Sequence, residues 1–311
     1  MVLFWILFLA LVAILLALDL GVFHKKDHVI GVGESLRWTG VWIGVSLLFS
    51  VAIYFLYGKG FLQGPAGNIA GSEALLEYLT GYIIEKSLSM DNIFVMVAIF
   101  GYFKIPALHQ HRVLFWGILG AIVLRGIFII GGTALINNFS WLMYVFGVII
   151  LISAVKMLFG GEEDDDMGNN RIVKIATKFL PVTRNHHGHD FTIVENGKRL
   201  FTPLFVALVV IELSDVLFAV DSIPAIFGVT TDPFIVFTSN IMAILGLRSL
   251  YFALAAMLTK FSLLKYAIVF ILAFVGVKML IVEFVHIPTL TSLAVIVAAL
   301  SIGVVASLVR K

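Results

Sequence analysis

About nine runs of roughly 20 apolar residues dominate this sequence, and each is long enough to cross the ~30 Å hydrocarbon core of a bilayer as an α-helix. They fall near residues 2–23, 36–57, 75–102, 111–136, 139–159, 202–227, 233–258, 264–285 and 289–309. In lipid a chain must satisfy its own backbone hydrogen bonds, and runs of this length do so as helices rather than as alternating barrel strands. The expected fold class is therefore all-α, a polytopic membrane protein. Composition agrees: 61% of residues are hydrophobic, 13% are charged, and the mean hydropathy is +1.08. The first run starts at Val2 without a basic leader and outlasts a signal-peptide core, so it is expected to stay as a membrane helix.

The basic residues set an orientation. Lys25, Lys26, Arg37, Lys104, Arg112, the six bases between 160 and 200, Lys260, Lys265, Arg310 and Lys311 all fall on one side of these runs, and only Lys59 falls on the other. The positive-inside rule then puts the N-terminus outside and the C-terminus in the cytoplasm. The net charge of +2 belongs to these loops and gives no support for nucleic-acid binding. Cysteine is absent, which removes thiolate sites for soft metals and leaves oxygen and imidazole donors.

Against this background two segments stand out: Glu85-Lys86-Ser87-Leu88-Ser89-Met90-Asp91-Asn92, and the run from Glu212 through Asp215 and Asp221 to Pro224. Ionisable groups at that depth cost at least ~2.5–3.5 kcal/mol each unless paired, hydrated or bound to an ion. Glu212 and Asp215 are three apart and share a helical face, while Asp221, about 240° further round a regular helix, would point elsewhere. Pro224 lacks an N–H, so the carbonyl of Val220 is freed and the helix is expected to kink or unwind beside Asp221. Asn92 and Ser89 add neutral oxygens next to Glu85 and Asp91. The opposing expectation is that Lys86, Arg125 and Arg248 neutralise these acids in ion pairs that only fix packing. Five deep acids outnumber those three deep bases, which favours ion handling, with Arg125 and Arg248 as structural partners. Lys156 and Lys278, late in their helices, are expected to snorkel toward water. Asp19, at the inner end of the first run, reads either as a solvated interfacial acid or as an entry ligand. Gly117-Ile118-Leu119-Gly120 reads as a close-packing motif.

An internal repeat relates the third to fifth runs to the sixth to eighth. Glu85 and Asp91 mirror Asp215 and Asp221, Leu124-Arg125 answers Leu247-Arg248, and Val155-Lys156-Met157-Leu158 answers Val277-Lys278-Met279-Leu280. With three helices per copy, the second copy enters the bilayer from the opposite side, giving an inverted repeat of two three-helix units whose acids meet near the midplane. The expected division is an N-terminal helix pair (1–71), the first repeat (72–159), a cytoplasmic linker (160–200), the second repeat (201–286) and a C-terminal helix (287–311). The linker carries an acidic run, Glu162 to Asp166, and the cluster His186, His187, His189 and Asp190. It reads as a solvated connection, with weak metal sensing at the cluster or docking of a soluble partner as the alternatives.

At these residues the chain resembles the TerC/Alx family within the lysine-exporter superfamily. The resemblance rests on Ala17 through His24, on Glu85 through Asn92, on Thr202 through Phe227, on Asp232-Pro233-Phe234, and on Thr238-Ser239-Asn240 followed by Leu247-Arg248-Ser249-Leu250. It implies manganese(II) efflux across the bacterial inner membrane, with metal homeostasis, alkaline response or tellurium resistance as the setting. It also implies that Asp91, Glu212, Asp215 and Asp221 form the ion site, supported by Glu85, Asn92 and Asp19. The expectation is a proton-coupled secondary transporter with no resident cofactor, since no phosphate-binding loop is present for ATP and no nucleophile and base stand at an enzymatic spacing. A calcium/proton exchanger and a membrane scaffold of a tellurium-resistance complex are the rivals. Nothing in the sequence fixes an oligomeric state.

Overall fold

The computed structural model describes residues 2–21, 31–65, 67–139, 141–159, 183, 190–195, 198–255, 263–285 and 287–309. Ten helices account for nearly all of them: α1 (Val2–Gly21), α2 (Val32–Gly58), α3 (Gly71–Tyr102), α4 (Ala107–Asn138), α5 (Leu142–Phe159), α6 (Pro203–Phe227), α7 (Pro233–Leu245), α8 (Leu247–Ala255), α9 (Leu264–Leu280) and α10 (Thr289–Val309). The protein is an all-α polytopic membrane protein. Six helices are long and apolar enough to cross a membrane, or seven if α7 and α8, bent by 44° at a short break, count as one span. That is fewer than nine for two physical reasons. The 32-residue α3 carries Glu73, Glu77, Glu85, Lys86 and Asp91 along its length, and α9 has only 17 residues.

The linker contains an element that sequence reading missed. Strands β1 (Thr192–Glu195) and β2 (Lys198–Phe201) pair antiparallel, with Thr192 opposite Phe201. Phe191 from this region faces the Arg112 guanidinium at the start of α4, 4.6 Å from the ring centroid. The acidic run and the three linker histidines lie outside the described residues.

Helix starts follow local chemistry. Thr202 caps α6, its hydroxyl accepting the Phe205 N–H at 3.4 Å, with Pro203 in the first turn, where no N–H is needed. Asp232 caps α7 by accepting the N–H groups of Phe234 and Ile235 at 2.9 and 3.1 Å, and also accepts the Tyr57 hydroxyl at 2.8 Å. Every residue from Phe234 to Leu245 is buried, so α7 is surrounded by protein on all sides. By contrast α1, α2 and α10 leave Val2, Leu48 and Ile302 exposed, as lipid-facing helices do.

The packing between the repeats is reciprocal. α3 lies against α7 while α4 lies against α6; α3 also meets α6, and α5 meets α9. This exchange is what a two-fold relation between α3–α5 and α6–α9 produces. The α5–α9 crossing is close because a Cβ on Gly147 would stand 3.2 Å from the Gly276 carbonyl oxygen, and one on Gly276 would stand 3.1 Å from that of Gly147.

Pro224 does not unwind α6. The helix continues to Phe227, because the lost hydrogen bond falls in the last turn and the residues from Ser222 to Phe227 are all buried and held by their neighbours. The break lies instead at Gly246, between α7 and α8. A Cβ there would meet the Cβ of Trp42 at 2.8 Å, so only glycine lets α2 approach the bend.

Candidate functional site

Arg125 on α4 is the centre of the buried polar network, 1% exposed and joined to side chains of three other helices. Its Nε and Nη2 donate to both carboxylate oxygens of Asp215 on α6, at 3.1 and 2.8 Å, the bidentate geometry a guanidinium favours. Its Nη1 pairs with Glu85 on α3 and reaches Ser222 on α6 and Asn240 on α7, each at 3.3 Å. One side chain therefore ties together the acids contributed by the two repeats. Asn92 donates to Asp215 at 3.4 Å, and Ser89 donates to Glu85 at 3.2 Å.

Beside this network is a cavity of about 180 Å³ lined by Glu85, Asn92, Arg125, Ser153, Asp221 and Ser222, with Leu88, Met157, Phe218 and Leu272 as its apolar wall. At ~30 Å³ per water, that is room for about six water-sized molecules. Asp221 accepts the Ser153 hydroxyl at 2.7 Å across the α5–α6 contact. Among the described residues, Glu85 Oε2 and Asn92 Oδ1 are buried and accept no hydrogen bond. Buried acceptors of this kind carry a desolvation penalty until a donor or a cation reaches them. Glu85 and Asp221 line the cavity against Arg125, whose other carboxylate partner, Asp215, stands outside the lining, and Lys156 is a further cation near Asp221.

The remaining candidates are dispersed. Asp91 belongs to α3, but its side chain is outside the described residues. Glu212 does not join Asp215 at Arg125. Its carboxylate packs over Gly120 on α4, where an added Cβ would collide with it, and its Oε2 is buried without a hydrogen bond among the described residues. Shared helical face notwithstanding, Asp215 is drawn to the guanidinium and Glu212 to the gap that Gly120 leaves. Asp19 is neither solvated nor in the cavity: it is 4% exposed and pairs with Arg248 on α8 at 2.8 Å. Among the described residues Lys86 pairs with no carboxylate through its ammonium. It donates to the carbonyl of Ala243 at 3.0 Å, an acceptor near the α7 C-terminus where the break at Gly246 ends the helical ladder. The cage of four or five carboxylates expected from the sequence is thus replaced by a smaller group, and among the described residues no three His, Asp or Glu side chains converge as a metal-holding set.

Sequence reasoning missed Ser153 and Asn240. Asn240 had a signal, because Thr238-Ser239-Asn240 is a polar triplet inside an apolar helix and all three residues are completely buried. Ser153 had none, since one hydroxyl in a membrane helix bonds its own backbone as readily as a distant acid.

A many-helix membrane protein with a buried, oxygen-lined cavity where two related helical units meet is the class defined by this geometry. Within it, the chain belongs to the integral membrane protein TerC family, whose model matches residues 70–311. It is 49% identical to an uncharacterized membrane protein of Myxococcus xanthus over 99% of this chain and 92% of that one. It is 45% identical to an uncharacterized membrane protein of Rickettsia felis over 99% and 98%. It is also 46% identical to an Escherichia coli K12 protein named membrane-bound redox modulator Alx, over 94% of this chain and 90% of that one. No solved structure matches the chain.

Proposed function

We propose that this chain is a secondary transporter that exports manganese(II) from the bacterial cytoplasm across the inner membrane, coupled to protons. The observation that carries the reading is the cavity lined by Glu85, Asn92 and Asp221, the first two of which each keep one buried oxygen, Oε2 and Oδ1, with no hydrogen-bond donor among the described residues. Carboxylate, amide and hydroxyl oxygens suit a hard divalent cation, and the sequence offers no thiolate to favour a soft one. The distribution of Lys and Arg supports an N-terminus outside and a C-terminus inside, and so a pathway opening to the cytoplasm at the 160–200 side.

In this reading Glu85, Asn92 and Asp221 contact the cation, with Asp91 as a further carboxylate on the same helix as Glu85. Asp215 remains bound to Arg125 and adds charge, while Glu212 and Asp19 act outside the cavity. Protons enter because carboxylates buried without full compensation bind H⁺ and metal in competition. The relatives' name, redox modulator, suggests a second reading in which redox state follows from metal content, because a sequence without cysteine has no thiol couple of its own. The test is manganese accumulation in inverted vesicles with an imposed pH gradient. Asp221→Asn is expected to abolish it with membrane insertion intact. Uptake equal to wild type in that variant would remove the proposed site. Preferential transport of calcium would turn the assignment to a calcium/proton exchanger, and a protein that moves neither ion would be left with the scaffold role, read through binding at 160–200.

A further inference from the structure

Arg125 raises a question that transport alone does not answer: why a permanently charged side chain is fixed against the acids that a cation pathway needs. Its guanidinium takes one oxygen of Glu85, a residue that lines the cavity, and the other oxygen of the same carboxylate is buried with no hydrogen bond among the described residues. A cation bound at Glu85 and the guanidinium would therefore share one carboxylate. Arginine stays protonated at all relevant pH values, so this counter-charge cannot be titrated away. It is also held in place, because Nε and Nη2 are committed to Asp215 while Nη1 has Ser222 and Asn240 as further acceptors.

We propose that Arg125 is a tethered counter-cation that limits how tightly the cavity holds its divalent guest, so that the guest can leave. The inference rests on the transporter reading and deepens it by assigning the release step to a residue that need not touch the ion. In a low-dielectric site, carboxylates that share a guanidinium bind a divalent cation less tightly than the same carboxylates would without it. Removing the guanidinium leaves the full negative set, and the guest is trapped. The acceptor pair Ser222 and Asn240 gives Nη1 a place to stay when Glu85 turns toward the guest, so the arginine does not have to leave its pocket during the cycle.

The experiment titrates purified full-length protein in detergent with manganese(II), and measures manganese uptake into vesicles holding the same variants. Arg125→Gln is expected to bind manganese at least about tenfold more tightly than wild type while transporting it at least about tenfold more slowly. Arg125→Lys keeps the charge and is expected to bind within about threefold of wild type and to retain measurable transport. It decides the matter if Arg125→Gln does not fold. Weaker or unchanged binding in Arg125→Gln overturns the proposal, because it makes the arginine a packing element. So does an Arg125→Lys protein that binds like wild type but transports nothing, since then the fork and not the charge is what matters. Wild-type protein that binds no divalent cation removes the transporter reading as well, which is a different result from a wild type that binds while Arg125→Gln binds no tighter.

Discussion

The two repeats present the same residue types at matching positions and use them differently. Arg125 in the first repeat serves acids from both units, whereas its counterpart Arg248 turns away to Asp19 on α1, a helix outside the repeat. Lys156 is exposed on α5, but its counterpart Lys278 is 8% exposed and donates to Ser292 on α10 at 3.0 Å, so Lys278 is buried where snorkelling was expected. In both cases the second copy is altered by a flanking helix. α1 supplies Asp19 and α10 supplies Ser292, and α10 packs along α9. A symmetry at the sequence level is thus broken by what surrounds each unit, so that Arg125 joins acids of both units while Arg248 is held by a flanking helix.

The largest effect that would break this contrast is expected at the arginines. Arg125→Leu leaves Glu85 and Asp215 buried without their cation and should lower stability by about 3–5 kcal/mol, while Arg248→Leu strands Asp19 and should cost less. Thermal unfolding in detergent compares them, and equal losses would mean that the two arginines have equivalent roles. Next is the glycine crossing. Gly276→Val places carbon against Leu151, whose Cγ stands 2.8 Å from an added Cβ, and should cost about 1–3 kcal/mol, a loss absent from a variant at exposed Gly131, where a Cβ meets nothing within 4 Å. A smaller effect separates the lysines: Lys278→Ala should cost about 1 kcal/mol through the Ser292 hydroxyl left without its donor, and Lys156→Ala should stay within about 0.5 kcal/mol. The least disruptive change is a single cysteine at Gly64, in a protein with no native cysteine. A membrane-impermeant thiol reagent should label it in intact cells, and protection there would reverse the direction proposed for the pathway.

Much of the site was legible because depth makes charge conspicuous. Glu85, Asn92, Arg125, Asp215 and Asp221 all stand out in apolar runs, and all line the cavity or its arginine. Partner choice was not legible. Glu212 and Asp215 have the spacing of a shared face, yet Gly120 opens a gap for one and Arg125 draws the other, and both causes lie on α4. Lys86 looked like a partner for a carboxylate, because nothing local announces that α7 ends at Gly246 and leaves carbonyls to be satisfied.

The sequence by itself determined the solvent, the helical class and the charge inventory. Apolar runs of spanning length can only be helices in lipid, and each buried charge costs enough to be noticed wherever it falls. Tertiary structure decided which charges meet. A guanidinium must lie within about 3 Å of its carboxylates to offset their desolvation, and that distance is set by helix crossings between residues as far apart as Glu85, Arg125 and Asp215. Those crossings depend on small residues and on flanking helices that no periodicity within a single segment records, and so the two-fold pattern was visible in the sequence while its breaking was not.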